Sequence, residues 1–317
     1  MQHDALLIVS FGGPEKHEDV IPFLENVLRG RNVPRERMLE VAEHYYHLEG
    51  RSPINDQVRA LIAALRELFD REGPALPIYW GNRNWHPMLP DTMRQMKADG
   101  IRHARAFVTS IFSSYSGCRQ YRENIEAART EVGEGAPAID KLPSFANHPL
   151  FLAAMADRVR DALAGGDAEV VFTAHSIPNS MSAGCAYVAQ LEEACRRVTA
   201  LAGAARHTLV YQSRSGPPTQ PWLGPDVCDF LRSRQDRTPV VIAPIGFLSD
   251  HVEVLWDLDH DARAAAEERG IPMVRAGTVG THPKFVRMIR ELVLSGVTQV
   301  CAAECCPPPA RPGSARP

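Results

Sequence analysis

The chain alternates short apolar runs with longer stretches in which apolar residues recur every three or four positions. Short apolar runs bounded by turn residues are typical of buried strands, and the longer periodic stretches are typical of amphipathic helices. Strands are predicted at 5–11, 77–82, 105–111, 168–174, 207–213, 239–245 and 271–277. Helices are predicted between them, for example at 55–72, 89–99, 119–132, 149–164, 187–203 and 251–269. Regular alternation of this kind predicts an α/β fold with parallel sheets.

The ends of the predicted strands are similar in the two halves of the chain. One strand runs into Ser10-Phe-Gly-Gly-Pro14 and a later one into Ala174-His-Ser-Ile-Pro178, each a loop marked by Gly or Pro. This similarity favours two related α/β domains that meet near residue 149, but the low identity of the halves leaves the duplication open. Because ligands bind beyond the carboxyl ends of strands in such sheets, the expected site is a cleft between the domains. The predicted units are 1–149, 150–297 and a Cys- and Pro-rich tail at 298–317.

The first half carries additional sequence between its first two strands, with arginine, tyrosine and histidine concentrated at 28–31 and 44–53. Arginine pairs with carboxylates and aromatic rings stack on one another, so such a segment is suited to cover an aromatic, anionic ligand. A surface helix and loop with partly exposed side chains fits the same composition equally well. The sequence leaves both interpretations open.

The composition is that of a globular protein, since 44% of the 317 residues are hydrophobic and 23% are charged. A formal net charge of −3 provides no basic surface to attract phosphates, which argues against nucleic acid as a partner. No apolar run approaches the roughly 18 to 20 residues that a membrane-spanning helix needs. The first residues also lack the basic and apolar regions of a secretory signal, so we expect a cytoplasmic protein without a transmembrane segment.

A histidine and a group of carboxylates follow predicted strands in the second half. His175 ends the strand at 168–174, and because imidazole titrates near neutral pH it is suited to proton transfer, although many loop histidines are only structural. Asp250, Glu253 and Asp257 have the i, i+3, i+7 spacing of one helix face. Acidic residues also complement the dipole at a helix start, so the carboxylates alone are weak evidence. Together with His175 they predict a site for a divalent ion.

Seven cysteines are distributed unevenly, with three of them close to the C-terminus. Cys301, Cys305 and Cys306 have the thiol density of a soft-metal or iron–sulfur site, but such sites usually use four thiolates. Cys118 is the leading candidate for the fourth ligand. The alternative is a tail with free, reactive thiols.

These residues, together with further motifs, resemble the ferrochelatase family, and the Cys-rich tail resembles its actinobacterial branch. The resemblance extends from Leu6 to about Val286. It implies the chelatase fold: two similar Rossmann-like domains, each with a four-stranded parallel sheet flanked by helices, and an active site in the cleft between them. The motifs that carry it are Ser10-Phe-Gly-Gly-Pro14, Ser52-Pro53, Gly81-Asn-Arg-Asn-Trp85, Tyr115-Ser-Gly-Cys-Arg-Gln-Tyr121, Thr173-Ala-His-Ser-Ile-Pro178, Gln212-Ser-Arg-Ser-Gly216, Pro221-Trp-Leu-Gly-Pro-Asp226 and Gly246-Phe-Leu-Ser-Asp-His-Val-Glu253.

The resemblance implies a lyase that inserts Fe²⁺, its substrate, into a porphyrin. His175 and Glu253 are then the ferrous-iron ligands, and His175 is also the base for the pyrrole N–H protons. Asp250, His251 and Asp257 are the implied path for iron or released protons. An iron donor and downstream enzymes of haem synthesis are the implied partners.

The resemblance also implies contacts with the porphyrin. Ser52 and Tyr121 match positions that contact the ring, whereas Phe11 lies where some relatives place a tyrosine that can touch the metal, which puts axial ligation from this side in doubt. The actinobacterial branch is expected to use coproporphyrin III and often carries a [2Fe–2S] cluster. The propionates of coproporphyrin III would need donors such as Arg29, Arg31, Arg51 or Arg119. The implied ligands of the [2Fe–2S] cluster are Cys118, Cys301, Cys305 and Cys306.

Three alternatives stay open on the sequence. The substrate of a ferrochelatase with these motifs is coproporphyrin III or protoporphyrin IX. A cobalt or nickel chelatase would use the same fold, but such relatives often place a second histidine where this chain has Glu253. A non-catalytic tetrapyrrole carrier would bind the ring without inserting a metal.

Overall fold

Two parallel β-sheets of four strands each form the centre of the protein, as seen in a computed structural model that describes residues 3–30, 33–216, 219–302 and 304–308. The strand order is β2-β1-β3-β4 in the first sheet and β6-β5-β7-β8 in the second. Both sheets therefore have the same topology, and the α/β fold with two similar halves is confirmed. The strands are β1 (Ala5–Ser10), β2 (Ile78–Asn82), β3 (His103–Val108), β4 (Ala138–Lys141), β5 (Glu169–His175), β6 (His207–Gln212), β7 (Val240–Ala243) and β8 (Met273–Arg275).

Helices flank both sheets, and the six stretches for which helix bounds were predicted are helical, with ends within one or two residues of those bounds. Short 3₁₀ and π segments occur at His17–Asp19, Tyr115–Arg119 and Leu255–Ala262. The α-helices are α1 (Val20–Leu28), α2 (Arg35–Tyr46), α3 (Ile54–Glu72), α4 (Leu89–Ala98), α5 (Gln120–Val132), α6 (Pro149–Leu163), α7 (Asn179–Ser182), α8 (Tyr187–Ala202), α9 (Val227–Ser233), α10 (Val252–Val254), α11 (Arg263–Arg269) and α12 (Pro283–Leu294).

Strand β4 was not predicted from the sequence. It lies at the edge of the first sheet, where its four residues, Ala-Ile-Asp-Lys, are exposed or half-buried. An edge strand needs no apolar run, so the hydrophobic pattern does not mark it. The predicted strand at 239–245 is also shorter than expected, because pairing ends at Ala243.

Alternate residues of the central strands serve two different apolar layers. Leu6 and Ile8 of β1 belong to a large core between the sheets, to which Phe172 of β5 also belongs. Leu7 and Val9 face the opposite way and pack with α4 and α5. Because both faces of β1 are covered, all six of its residues are buried, and the strand needs the continuous apolar run seen in the sequence.

The last helix, α12, packs against α6 of its own half and against α3 of the first half. The Arg287 guanidinium contacts the Glu72 carboxylate at 3.0 Å. Arg105 of β3 is almost fully buried and donates through Nη1 to the carbonyl oxygens of Leu292, at 3.1 Å, and Val293, at 2.7 Å. The 150–297 unit therefore ends in a helix that completes the packing of the first half.

Helices α1 and α2 form the additional segment between β1 and α3. Their apolar residues, including Phe23 and Tyr45, form a small cluster that also contains Val252 of α10. The segment thus packs on the second half of the chain at the helix that carries Glu253. Within the part of the chain that the structure describes, no helix combines the length and apolar character needed to cross a membrane.

Candidate functional site

His175 is the last residue of β5 and projects from the carboxyl end of the second sheet. Its Nδ1 lies 2.6 Å from the carbonyl oxygen of Ser176. Because a carbonyl oxygen only accepts hydrogen bonds, Nδ1 carries the proton and Nε2 of the neutral ring presents a lone pair. The side chain is about one third exposed, at 34%. The strand end therefore offers Nε2 as a metal ligand or proton acceptor.

Glu253 faces this lone pair from the short helix α10. Its Oε2 lies 3.9 Å from Nε2 of His175, which is too far for a hydrogen bond. An ion with bonds of about 2.1 Å to nitrogen and oxygen can span up to about 4.2 Å between two ligands. The separation of His175 and Glu253 therefore suits one divalent ion between them, with its remaining coordination positions open.

The helix predicted at 251–269 is continuous but changes character along its length. After α10 it forms a π-helical segment, Leu255–Ala262, and then returns to α-helix in α11. The expected face of three carboxylates does not include Asp250, because the helix begins only after its N-cap, His251. Glu253 and Asp257 stay close enough that the charge of Glu253 contributes to the raised pKa of Asp257.

Asp257 is held by polar side chains that follow β6. The Ser213 hydroxyl donates to its Oδ2, and Gln212 Nε2 donates to the same oxygen at 3.3 Å. Burial raises the pKa of Asp257 to about 7, although the Ser213 hydrogen bond lowers it. This carboxyl group therefore gains and loses a proton near neutral pH, which suits a proton relay.

Asp250 is engaged by an arginine and by the first half of the chain. Arg275 donates to Asp250 Oδ1 at 3.0 Å and to Asp259 Oδ1 at 2.7 Å. The Asp250 backbone N–H donates to Oε1 of Gln57 in α3 at 3.0 Å. Burial lowers the pKa of the neighbouring His251, which favours its neutral form. Asp250 thus positions the loop before α10, and its charge is balanced by Arg275.

Three histidines surround Trp256 of the π segment. The ring of His44 in α2 stacks on it with centroids 4.3 Å apart, and the His260 ring stacks at 4.4 Å. His47 adds a tilted contact at 5.3 Å. The segment between β1 and α3 therefore reaches the helix of Glu253 and Asp257. The sequence signal for this contact is the concentration of histidine at 44–47 and beside Trp256.

Ser52 and Tyr121, the predicted ring contacts, are both buried on the side of the first sheet. The Ser52 N–H donates to the Pro14 carbonyl at 2.9 Å. A Cβ at Gly13 would lie 2.8 Å from Ser52 Cβ, so the loop after β1 requires glycine there. The guanidinium of Arg83 lies over Tyr121, with its carbon 4.4 Å from the centroid of the tyrosine ring.

Arg83 lies between two rings of the predicted porphyrin side. Besides Tyr121, it lies over Phe11 at 5.7 Å, and it donates through Nη1 to the Ser116 carbonyl at 3.4 Å. Its Nε is buried and without a hydrogen-bond partner. Sequence reasoning quoted Arg83 only within a motif, and an unpaired buried donor is visible only in three dimensions.

The arginines predicted to bind propionates are placed on the surface of the first half. Arg51 pairs with Asp56, and Arg119 donates to Glu123 at 2.8 Å. Arg29 donates to the side chain of Asn26 three residues earlier at 2.5 Å. The fourth candidate, Arg31, lies outside the described residues.

The tail returns to the first sheet near Cys118, but in the described residues no three of Cys118, Cys301, Cys305 and Cys306 have their sulfur atoms within 4.8 Å of one another. Gln299 anchors the tail, because its N–H donates to the Lys141 carbonyl at 3.0 Å and its Nε2 lies 3.9 Å from Sγ of buried Cys118. Sγ of Cys305 lies 3.6 Å from Sγ of Cys306. A tetrahedral metal with thiolate bonds of about 2.3 Å separates two ligands by about 3.7 Å, which matches this distance.

The charge states of these thiols depend on their surroundings. Burial raises the pKa of Cys306 to about 12, and Cys305 and Cys118 lie close enough to raise it further. Burial also raises the pKa of Cys301, which is close to Cys118 and Cys305. These thiols are therefore protonated at neutral pH, and metal binding would release protons from them.

Comparison with known proteins places the whole chain among related sequences. A family model described as Ferrochelatase matches residues 3–297. A protein of Rhodopirellula baltica named ferrochelatase is 56% identical, covering 96% of this chain and 93% of its own. A protein of Nocardia farcinica named coproporphyrin III ferrochelatase is 46% identical and covers 99% of both chains.

A solved structure supports the fold independently of close sequence similarity. The sirohydrochlorin chelatase SirB of Bacillus subtilis, in complex with cobalt, is similar with a TM-score of 0.56 at 11% identity. The alignment covers 93% of this chain and 97% of that one. At this identity the likeness concerns the fold alone, which has two halves that each contain a four-stranded parallel sheet.

Proposed function

The chain belongs to the ferrochelatase family, and on that premise we propose that it inserts Fe²⁺ into coproporphyrin III to give iron-coproporphyrin III in haem synthesis. The reaction is that of a lyase which places a metal in a porphyrin. The choice of coproporphyrin III is supported by the names of several relatives at 46–50% identity. The observation that carries the proposal is the pair of facing ligands, His175 Nε2 and Glu253 Oε2, 3.9 Å apart.

The two ligands suit iron as a substrate that must leave them. His175 provides nitrogen and Glu253 provides a negatively charged oxygen, a donor set that suits Fe²⁺. With two protein ligands, the ion keeps open positions for the porphyrin nitrogens, to which it transfers. A complete set of four or more protein ligands would oppose that transfer, since the ion would then be held as tightly as in a structural site.

Insertion also requires that two pyrrole N–H protons leave the ring. The lone pair of His175 Nε2 accepts a proton when iron is not bound to it, because Nδ1 already donates to the Ser176 carbonyl. Asp257, whose pKa burial raises to about 7, is a suitable next acceptor. In this scheme His251 stays neutral, and Glu253 keeps the negative charge that attracts the incoming ion.

The surrounding walls are suited to hold a distorted ring. A cleft that favours a buckled macrocycle exposes the nitrogen lone pairs and so stabilises the transition state more than the flat substrate. On one side of the expected cleft, Trp256 of the π segment stacks on the rings of His44 and His260. On the other wall, Arg83 offers its buried Nε between Phe11 and Tyr121.

An anaerobic insertion assay tests the proposal. The full chain is mixed with Fe²⁺ and either coproporphyrin III or protoporphyrin IX, and loss of porphyrin fluorescence is followed. We expect faster insertion into coproporphyrin III. Insertion only into protoporphyrin IX would overturn the substrate assignment, and Co²⁺ or Ni²⁺ insertion into sirohydrochlorin without Fe²⁺ activity would favour the rival chelatase. Porphyrin binding without any insertion would identify a carrier.

A second proposal concerns the cysteines. We propose that Cys118, Cys301, Cys305 and Cys306 hold a [2Fe–2S] cluster, which would link the tail to the first sheet and could transfer electrons. Support comes from the 3.6 Å distance between the last two sulfur atoms and from the burial of Cys118. Protein purified anaerobically should be red-brown and contain about two iron and two sulfide per chain. Cys118→Ser should remove the colour, whereas Cys195→Ser should not; colourless wild-type protein without sulfide would contradict the cluster.

We further propose, from the sequence, a cytoplasmic location with an iron donor upstream and later haem-pathway enzymes downstream. Fractionation of cells tests the location directly. Recovery of the chain with membranes or outside the cytoplasm would contradict it. Co-purification from cells tests the partners.

A further inference from the structure

Three side chains able to bind a metal ion converge at the amino ends of strands in the first sheet. His3 precedes β1, His103 begins β3, and Asp140 lies in β4. Nε2 of His3 lies 3.0 Å from Oδ2 of Asp140, and Nε2 of His103 lies 2.9 Å from the same oxygen. In the described residues, these are three ligand atoms within 4.8 Å of one another. His175, in contrast, lies at the carboxyl end of its strand. The six-residue β1 places the amino and carboxyl ends of the first sheet roughly 20 Å apart.

The distances within this group are close to those of a metal site. A tetrahedral ion with bonds of about 2.0 to 2.1 Å to nitrogen and oxygen separates neighbouring ligand atoms by about 3.3 Å. The two distances to Asp140 are shorter than this by only a few tenths of an ångström. Small side-chain rotations of His3 and His103 are therefore enough to admit an ion.

The backbone holds the group in place without any ion. The Asp4 N–H donates to the His103 carbonyl at 2.7 Å, and Asp4 Oδ2 accepts the N–H groups of Arg102 and His103 at 3.0 Å. These bonds fix His3 beside His103, with ring centroids 4.4 Å apart. In the β3–β4 pairing, Asp140 is opposite Arg105, two residues beyond His103 and on the same sheet face. Little ordering is left for an ion to impose, which favours binding.

The group is also accessible and of suitable chemistry. The side chains of His3 and His103 are 17% exposed and that of Asp140 is 34% exposed, so an ion can enter and keep water in its remaining position. Two imidazoles and one carboxylate suit Zn²⁺ and similar ions, whereas Mg²⁺ and Ca²⁺ prefer oxygen alone. The nearby positive charge of Arg105 is directed to the carbonyls of α12.

We propose that His3, His103 and Asp140 form a second metal site, which binds a divalent first-row transition ion with Zn²⁺ as the reference occupant. The ion takes the place of the hydrogen bonds to Asp140, and each neutral imidazole that binds it through Nε2 carries its proton on Nδ1. Protons compete with the ion for Nε2 at acid pH, so binding weakens there. It joins the segment before β1 to β3 and β4. Its effect is on the stability of the first sheet, and the rate of iron insertion does not depend on it.

Zinc titration of the untagged full chain tests the site. Protein freed of metal by a chelator is titrated with Zn²⁺ in competition with a chromophoric chelator, which gives both stoichiometry and affinity. The variants are Asp140→Asn and His103→Gln, and the matched control is His207→Gln, because His207 also begins a strand, β6, in the other sheet. In this titration, wild type and the control should bind one more Zn²⁺ ion than Asp140→Asn and His103→Gln. The affinity of the two variants for Zn²⁺ at this site should be at least tenfold lower. Zn²⁺ should raise Tm by a few degrees more in wild type than in either variant.

Cobalt separates this site from the cysteines. Co²⁺ bound by nitrogen and oxygen gives visible d–d bands without the near-ultraviolet thiolate charge transfer of a cysteine site, and only the d–d component assigned to this group should disappear in Asp140→Asn. That variant keeps a hydrogen-bonding amide next to both histidines, so it decides the question if His103→Gln does not fold. Equal Zn²⁺ stoichiometry and equal Co²⁺ spectra in wild type and Asp140→Asn would overturn the proposal and leave a purely hydrogen-bonded cluster.

Discussion

The ring of His44 stacks on that of Trp256, with centroids 4.3 Å apart and planes inclined by only 8°. This contact joins α2, in the segment between β1 and α3, to the π-helical segment that continues from Glu253. His260 also stacks on Trp256, at 4.4 Å, so the indole contacts rings from both halves of the chain. Trp256 thus contributes to the position of the segment, together with the apolar cluster that includes Val252.

Trp256→Ala should loosen this segment and weaken porphyrin binding. Aromatic contacts of this kind contribute about 0.5–1.5 kcal/mol each, so loss of the two stacked contacts should lower the free energy of unfolding by about 2 kcal/mol. We expect KM for porphyrin to rise more than kcat falls, with faster amide hydrogen exchange at 35–46. Trp256→Phe keeps an aromatic ring and should restore most of the binding. Unchanged exchange in Trp256→Ala would show that the stack does not hold the segment.

His175→Ala should abolish insertion without abolishing porphyrin binding. The substitution removes both a nitrogen ligand and the acceptor lone pair at Nε2, so kcat should fall at least 100-fold. Fluorescence quenching measures porphyrin binding, and the anaerobic assay measures insertion. His207→Ala, at the amino end of β6, is the matched control and should retain wild-type rates. Full insertion by His175→Ala would remove its proposed role.

Asp257→Asn should stabilise the protein at pH 8 and slow insertion. Because burial raises the pKa of Asp257 to about 7, the folded state binds more protons than the unfolded state between about pH 4 and pH 7. Its contribution to stability therefore falls as pH rises through this window. Asparagine removes the buried charge, so the variant should gain on the order of 1–3 kcal/mol at pH 8 and much less at pH 5.

Urea unfolding at both pH values measures this difference, and exposed Asp161→Asn serves as the control that should show none. Insertion rates provide the functional readout. If Asp257 accepts protons, the wild-type rate should rise with pH through about 7, and the variant should lose that rise. Equal stability of wild type and Asp257→Asn at pH 8 would contradict a buried carboxylate there.

Arg105→Met should destabilise the whole fold. The substitution keeps much of the side-chain volume but leaves the carbonyls of Leu292 and Val293 without the donor that now binds them. Each buried unsatisfied group costs about 1–3 kcal/mol, so unfolding free energy should fall by about 3–5 kcal/mol in total. Urea denaturation measures the loss, and the exposed neighbour Arg102→Met is the control. A loss below 1 kcal/mol would mean that water replaces the guanidinium.

The sequence predicted the elements better than their ends or edges. The spacing of apolar residues identified helices such as α3 and α6 to within a residue or two, because the residues of their buried faces recur regularly. It missed β4, since an exposed edge strand carries no such signal. It also treated the helix after Asp250 as regular, whereas residues Leu255–Ala262 form a π-helical segment that the apolar periodicity does not indicate.

The site was predicted in part for the same reason. His175 could be located because strand ends carry function in parallel sheets, and Glu253 lies opposite it as expected. Arg83 and the His3–His103–Asp140 group were overlooked, because their members become neighbours only through strand pairing and long-range packing. Asp140 lies 37 positions after His103 and 137 after His3, and residues so far apart give no local signal of their proximity.

The docking of α12 on the first half has a consequence for biosynthesis. Arg105 and Glu72 find their partners at Leu292, Val293 and Arg287, nearly 200 residues or more downstream. A nascent chain therefore leaves the ribosome with Arg105 unsatisfied, and the core that Leu6 and Ile8 share with α3 lacks its contacts with α12 until translation is almost finished. Chaperone binding to that exposed surface is the expected cellular response, and premature termination just before α12 would yield a product prone to aggregate.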